Sequence, residues 1–122
     1  MHILVIEDNA DLRRMYVKSL AHRKHDVIEA NSVAAALSLL DTTAPDLVMV
    51  DMELPDGNGR SIIDRIRCDG RFKHTRLVAV SGDRKYDRVE SGNFRADMFL
   101  LKPVSIRMVQ ALLDLTAKMP AQ

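Results

Sequence analysis

Two kinds of apolar pattern alternate along the chain. The runs Ile3-Leu4-Val5-Ile6, Leu47-Val48-Met49-Val50 and Leu77-Val78-Ala79-Val80 are rich in β-branched residues and continuous rather than alternating. That is the pattern of parallel strands buried on both faces. Val27-Ile28 and Met98-Phe99-Leu100-Leu101 are further strand candidates, one of them at a sheet edge; Val27-Ile28, set between Asp26 and Glu29, reads as the more exposed. Between the runs the spacing becomes helical. Leu12, Met15, Tyr16 and Leu20 fall at i, i+3, i+4 and i+8 behind Asn9 as an N-cap. Val33, Ala36, Leu37 and Leu40 repeat the pattern behind Asn31-Ser32, Ile62, Ile63 and Ile66 form a third stripe, and Val109, Leu112, Leu113 and Thr116 form the last behind Ser105. The stretch 84–95 should hold one more helix, but its large apolar residues are only Tyr86, Val89 and Phe94, and Ser91-Gly92-Asn93 interrupts it.

The order is thus β-α repeated five times, which predicts an α/β fold: a doubly wound, five-stranded parallel sheet with helices on both faces. Such sheets place their sites at the carboxyl ends of the strands. Composition narrows the partners. The 122 residues suit one domain, and 18 Lys+Arg against 17 Asp+Glu give a net charge of +1, no electrostatic case for nucleic acid or a membrane surface. The single Cys68 excludes an internal disulfide framework and fits a reducing compartment. No apolar run approaches a membrane span, and the N-terminus reaches Glu7-Asp8 without a secretory signal pattern, so a cytoplasmic location is expected.

The chemistry gathers at the predicted strand ends. The first run ends in Glu7-Asp8, the third in Asp51, the fourth in Ser81-Gly82 and the fifth in Lys102-Pro103. Singly, each is an ordinary cap or turn residue. Jointly they bring three carboxylates, a hydroxyl and an ammonium to one edge. The carboxylates would repel one another and raise at least one pKa. A hard divalent cation relieves that cost, and an open all-oxygen set favours Mg²⁺, with Mn²⁺ as a substitute. A cation, Lys102 and the Ser81 hydroxyl around a carboxylate suit phosphoryl transfer onto that carboxylate, which needs positioning and charge neutralisation.

On these residues the whole chain resembles the receiver domain of two-component response regulators. The motifs are Glu7-Asp8, the loop Asp51-Met52-Glu53-Leu54-Pro55-Asp56-Gly57-Asn58-Gly59, Ser81-Gly82 and Lys102-Pro103, in order and at receiver-like separations. The resemblance implies a flavodoxin-like (βα)5 fold with strand order 2-1-3-4-5. It implies that Asp51 accepts a phosphoryl group from a sensor histidine kinase or a phosphotransfer protein. Glu7, Asp8, Asp51 and the Glu53 backbone carbonyl would hold Mg²⁺. Ser81 and Lys102 would grip the phosphoryl oxygens, and Phe99 would be an aromatic switch residue moving with Ser81. Pro55 and Gly59 would shape the loop that aims Asp51, Gly82 would leave room for the phosphodonor, and the Lys102-Pro103 bond would be cis. A downstream protein partner would meet the face made by the fourth helix, fifth strand and fifth helix. The receiver would fill 1–119, with 120–122 a short tail and no output domain, and it would not be a turnover enzyme.

Three positions depart from the family pattern. Arg95 stands where receivers usually carry a helix-ending Gly, so the helix is expected to stop early, at Gly92 or Asn93. Glu53 and Asp83 are acids at the two positions that flank the path of the hydrolytic water in the family. Ser81 replaces the commoner Thr. Two rival readings are a non-phosphorylated pseudo-receiver that serves as a binding module, and a small phosphatase of the haloacid dehalogenase type. The second uses a second Asp two residues after its nucleophile, where this chain has Glu53. Arg13-Arg14, like the basic residues of 71–74, reads as part of a solvated face.

Overall fold

The computed structural model describes residues 1–21, 25–83 and 95–118. The elements are β1 (His2–Ile6), α1 (Ala10–Leu20), β2 (Asp26–Ala30), α2 (Val33–Leu40), β3 (Leu47–Asp51), β4 (Glu53–Leu54), β5 (Gly57–Asn58), α3 (Arg60–Arg67), a 3-10 turn (Gly70–Phe72), β6 (Arg76–Ser81), β7 (Met98–Leu101) and α4 (Ile106–Lys118). The main sheet runs β2-β1-β3-β6-β7, all parallel. Counted among the five long strands this is the expected order 2-1-3-4-5.

The apolar runs are continuous because both faces of the sheet are covered. Successive side chains of a strand point to opposite faces. Leu4, Ile6, Val48, Val50, Leu77 and Ala79 pack with Ala36 and Leu40 of α2 and with Ile62, Ile63 and Ile66 of α3. Ile3, Val5, Leu47, Met49, Val78 and Val80 pack on the other side with Tyr16 and Leu20 of α1 and with Val109 and Leu112 of α4. Both outer strands are edges, where the pattern had reserved an edge for one. In β2, Val27 and Ile28 are half-buried while Asp26 and Glu29 are exposed, whereas β7 is half-buried throughout.

Local signals set the helix starts. Asn9 Oδ1 accepts from the Leu12 N–H at 2.9 Å, Ser32 Oγ from Ala35 at 3.1 Å and Ser105 Oγ from Met108 at 3.1 Å, each satisfying a donor that a first turn leaves unpaired. The loop after Asp51 contains an unforeseen two-residue hairpin, β4 paired antiparallel with β5. The helix expected in 84–95, and its early end at Gly92 or Asn93, lie outside the described residues up to Arg95. No helix among the described residues is long and apolar enough to cross a membrane.

Candidate functional site

Parallel pairing puts the carboxyl ends of β1, β3, β6 and β7 side by side. Glu7 N–H donates to the Ala30 carbonyl at 3.0 Å, Met52 N–H to Val80 at 2.9 Å and Lys102 N–H to Ser81 at 2.9 Å, so the sheet ladder runs on through Glu7, Asp51 and Lys102 themselves. Glu7, Asp51 and Ser81 are buried, at 1%, 3% and 0% exposure, while Asp8 is exposed. One carboxylate oxygen from each of Glu7, Asp8 and Asp51 lies within 4.8 Å of the others. Lys102 Nζ stands 3.1 Å from Glu7 Oε1 and 3.2 Å from Asp51 Oδ2. The remaining Asp51 oxygen, Oδ1, accepts from the Glu53 N–H at 3.1 Å.

The electrostatics follow from that packing. Burial, more than repulsion, pushes Glu7 up to about 7; a hydrogen bond shared with the Asp51 carboxyl adds to the rise, and the Asn9 N–H opposes it. The expected carboxylate pKa rise is therefore present, with desolvation as its main cause. Burial also works against the Lys102 ammonium, but the charges of Asp51 and Glu7 outweigh it and hold its pKa above the ordinary value. Two buried side-chain atoms among the described residues have no hydrogen-bond partner, Glu7 Oε1 and the Tyr16 hydroxyl. Lys102 Nζ lies close to the first as an ion pair without completing a hydrogen bond. A buried, unsatisfied carboxylate oxygen beside two other carboxylates fits a hard cation as an added ligand.

Ser81 also lies at this edge, but its hydroxyl is already engaged. It donates to Glu53 Oε1 and accepts from the Asp83 N–H at 2.9 Å. Phe99 is not at the carboxylates; it pairs with Ala79 along β7 and packs, half-buried, into the core on the α2–α3 side. The Lys102-Pro103 bond is cis. Gly59 is required by contact, since a Cβ there would come within 2.5 Å of the Asp51 carbonyl oxygen. A Cβ on Gly82 would meet nothing within 4 Å, so the space beside Ser81 is open. Pro55 is exposed in the β4–β5 turn, which reverses at Gly57, with a φ of 155°.

Three supporting residues escaped the sequence reading. Arg13 is no solvated side chain: its Nη1 donates to the Glu7 carbonyl at 2.9 Å and its Nε to Glu29 Oε1 at 2.7 Å, which braces the β1–α1 loop. Asp56 accepts from the Val33 and Ala34 N–H groups at 2.8 and 2.9 Å, tying the hairpin to the start of α2. Those two N–H groups hold the Asp56 carboxyl below its ordinary pKa. Glu53 was read for its carbonyl and as a neighbour of the water path, not as the acceptor of Ser81. For Arg13 a signal existed, a cation one turn into the helix after an acidic loop. For the other two the partners are distant in sequence and no local signal exists.

Comparisons with known proteins agree with this geometry. The family model described as the response regulator receiver domain matches residues 3–114. The transcriptional regulatory protein PhoP of Escherichia coli (strain K12) is 34% identical over 111 residues, covering 91% of this chain and 49% of PhoP. The chain spans about half the length of the curated relatives it matches. Among solved structures, the chemotaxis response regulator CheY4 of Vibrio cholerae superposes with a TM-score of 0.83 at 19% identity, covering 94% of this chain and 97% of that one. The response regulator TrrA of Thermotoga maritima, solved in complex with Mg²⁺-BeF, gives 0.78 at 21% identity, covering 94% and 97%. By its family match and its relatives, the chain belongs to the response regulator receiver domain family.

Proposed function

We propose that this receiver is a phosphoacceptor and that Asp51 is the residue phosphorylated. The observation that carries the reading is the placement of Asp51: a buried carboxylate with Lys102 Nζ at 3.2 Å and the Glu7 and Asp8 oxygens within 4.8 Å. An Asp51 oxygen forms a bond to phosphorus while the bond from phosphorus to the donor's histidine nitrogen breaks, and the electron pair leaves on that nitrogen. No protein base is needed, so the site's task is alignment and charge neutralisation. Lys102 leaves its ion pair with Asp51 for a phosphoryl oxygen, and Ser81 donates its hydroxyl to another. Glu7, Asp8, Asp51 and the Glu53 carbonyl would hold Mg²⁺, or Mn²⁺ in its place, which supplies positive charge to the transferring group. Gly82 leaves the donor's approach open, and Pro55, Gly59 and Pro103 set the loops. Phe99, on β7 and three residues before Lys102, carries the change to the face that includes β7 and α4, where a protein partner reads it.

The donor is a sensor histidine kinase or a histidine phosphotransfer protein, in a cytoplasmic setting, and the chain takes part in its own phosphorylation without being a turnover enzyme. The test is incubation with Mg²⁺ and acetyl phosphate, read by intact mass. One phosphoryl group is expected on the wild type and none on Asp51→Ala. A wild type that never labels supports the pseudo-receiver, and repeated turnover of phosphomonoesters supports the phosphatase.

A further inference from the structure

The Ser81 hydroxyl is fully buried, and its hydrogen bonds are both accounted for. A hydroxyl carries one proton to donate. That proton is committed to Glu53 Oε1, while the oxygen accepts from the Asp83 N–H at 2.9 Å. Glu53 spans the two strand ends: its N–H donates to Asp51 Oδ1 at 3.1 Å and its carboxylate takes Ser81. Among the described residues Ser81 is the one hydrogen-bond partner of that carboxylate, which otherwise faces solvent. Any other acceptor at Asp51 therefore meets an occupied donor and a like charge beside it.

We propose that Glu53 is a positioning residue acting as a resting-state latch, its carboxylate holding the Ser81 hydroxyl until a phosphoryl oxygen on Asp51 takes it over. The proposal rests on the reading of Asp51 as the phosphoacceptor. The exchange is one of hydrogen bonds alone: Ser81 O–H to Glu53 breaks, Ser81 O–H to the phosphoryl oxygen forms, and the proton stays on Ser81 throughout. Glu53 is free to leave because its carboxylate is solvent-exposed, so water replaces the lost bond. The phosphoryl charge favours that departure by repulsion. The resting contact thus raises the threshold for the phosphorylated state without blocking the site.

The experiment measures binding of beryllofluoride, a stand-in for the phosphoryl group on Asp51, with Mg²⁺ present. The proteins are the wild type, Glu53→Ala, Glu53→Gln, Ser81→Ala and the Glu53→Ala/Ser81→Ala double variant. Circular dichroism and thermal melting first match them for folding. Glu53→Ala should bind roughly 3- to 10-fold more tightly than wild type, the size of one hydrogen bond exchanged. Glu53→Gln, whose amide oxygen still accepts from Ser81, should gain less. In the Ser81→Ala background the Glu53→Ala gain should shrink to the part due to the like charge alone. Wild-type affinity in Glu53→Ala overturns the latch, and so does an equal gain with and without the Ser81 hydroxyl, which would mark a bulk charge effect. A wild type that neither binds beryllofluoride nor labels at Asp51 overturns the phosphoacceptor reading itself, and the latch with it.

Discussion

Gly59 shows how one residue fixes the site from outside it. A Cβ there would lie 2.5 Å from the Asp51 carbonyl oxygen, 3.0 Å from Val50 Cγ2 and 3.1 Å from Met52 Cα. Two of these are backbone atoms, which cannot swing aside, so β3 or the start of α3 must shift. Gly59→Ala should cost about 1–3 kcal/mol in urea unfolding, the usual range for overpacking, and should slow labelling at Asp51. Gly70→Ala, where a Cβ meets nothing within 4 Å, should stay within about 0.5 kcal/mol and serves as the control. A Gly59→Ala protein with the wild-type midpoint would refute the argument. The sequence identified Gly59 as a turn residue but could not name the atom it spares. The same boundary separates the other site residues. Glu7, Asp51, Ser81 and Lys102 were legible because each directly follows an apolar run, and Asp8 because it follows Glu7, both local relations. The bonds of Glu53 to Ser81, 28 residues away, and of Asp56 to Val33, 23 residues away, depend on how the strands are ordered in space.

At the scale of elements, Arg67 joins three of them. From the last turn of α3 its Nε donates to the Arg95 carbonyl at 3.0 Å, its Nη1 to the Thr75 carbonyl at 2.9 Å and its Nη2 to Asp97 Oδ2 at 2.8 Å. The same Asp97 oxygen accepts from the Leu77 N–H at 2.8 Å, so one clamp holds the entries to both β6 and β7. The Arg67 side chain is 17% exposed, and its loss takes this donor from the carbonyl of buried Thr75, while Asp97 Oδ2 keeps only the Leu77 N–H. Arg67→Ala should lose about 2 kcal/mol on unfolding, and amide exchange in β7 should quicken. Arg67→Lys should recover little, because one ammonium cannot reproduce the fork across three acceptors. Equal unfolding midpoints for Arg67→Ala and wild type would exclude the clamp. This element-level coupling was invisible in the sequence, although the elements themselves were not. Strands showed as continuous runs because both faces are buried, and helix starts showed as Asn9, Ser32 and Ser105. The β4–β5 hairpin did not show, since two residues are too few to display a period.

For the whole molecule, a net charge of +1 conceals a largely buried acidic end whose protonation should couple folding to cation binding. Without a cation, folded Glu7 holds its proton up to about pH 7, against 4.5 for an ordinary glutamate. Between those values the folded state binds more protons than the unfolded chain. Unfolding free energy contributed by Glu7 therefore falls as pH rises through this window and levels off above it. The other shifted groups titrate elsewhere. Asp56 and Asp69 are lowered from 3.8, so their support is present above that value and is lost only in stronger acid. Tyr16, raised chiefly by burial, and Lys102, raised by its two carboxylate neighbours, change only in alkali. Over about pH 5 to 8 the metal-free protein should then lose thermal stability as pH rises. Mg²⁺ held by the ionised carboxylates would displace the Glu7 proton, so its stabilising effect should grow across the same range. Melting in EDTA and in excess Mg²⁺, at matched ionic strength, reads both trends. Glu7→Gln removes the titrating group and should flatten the metal-free slope. A metal-free stability that rises from pH 5 to 8, or the same slope in Glu7→Gln, would show that the buried acid is not what links proton, cation and fold.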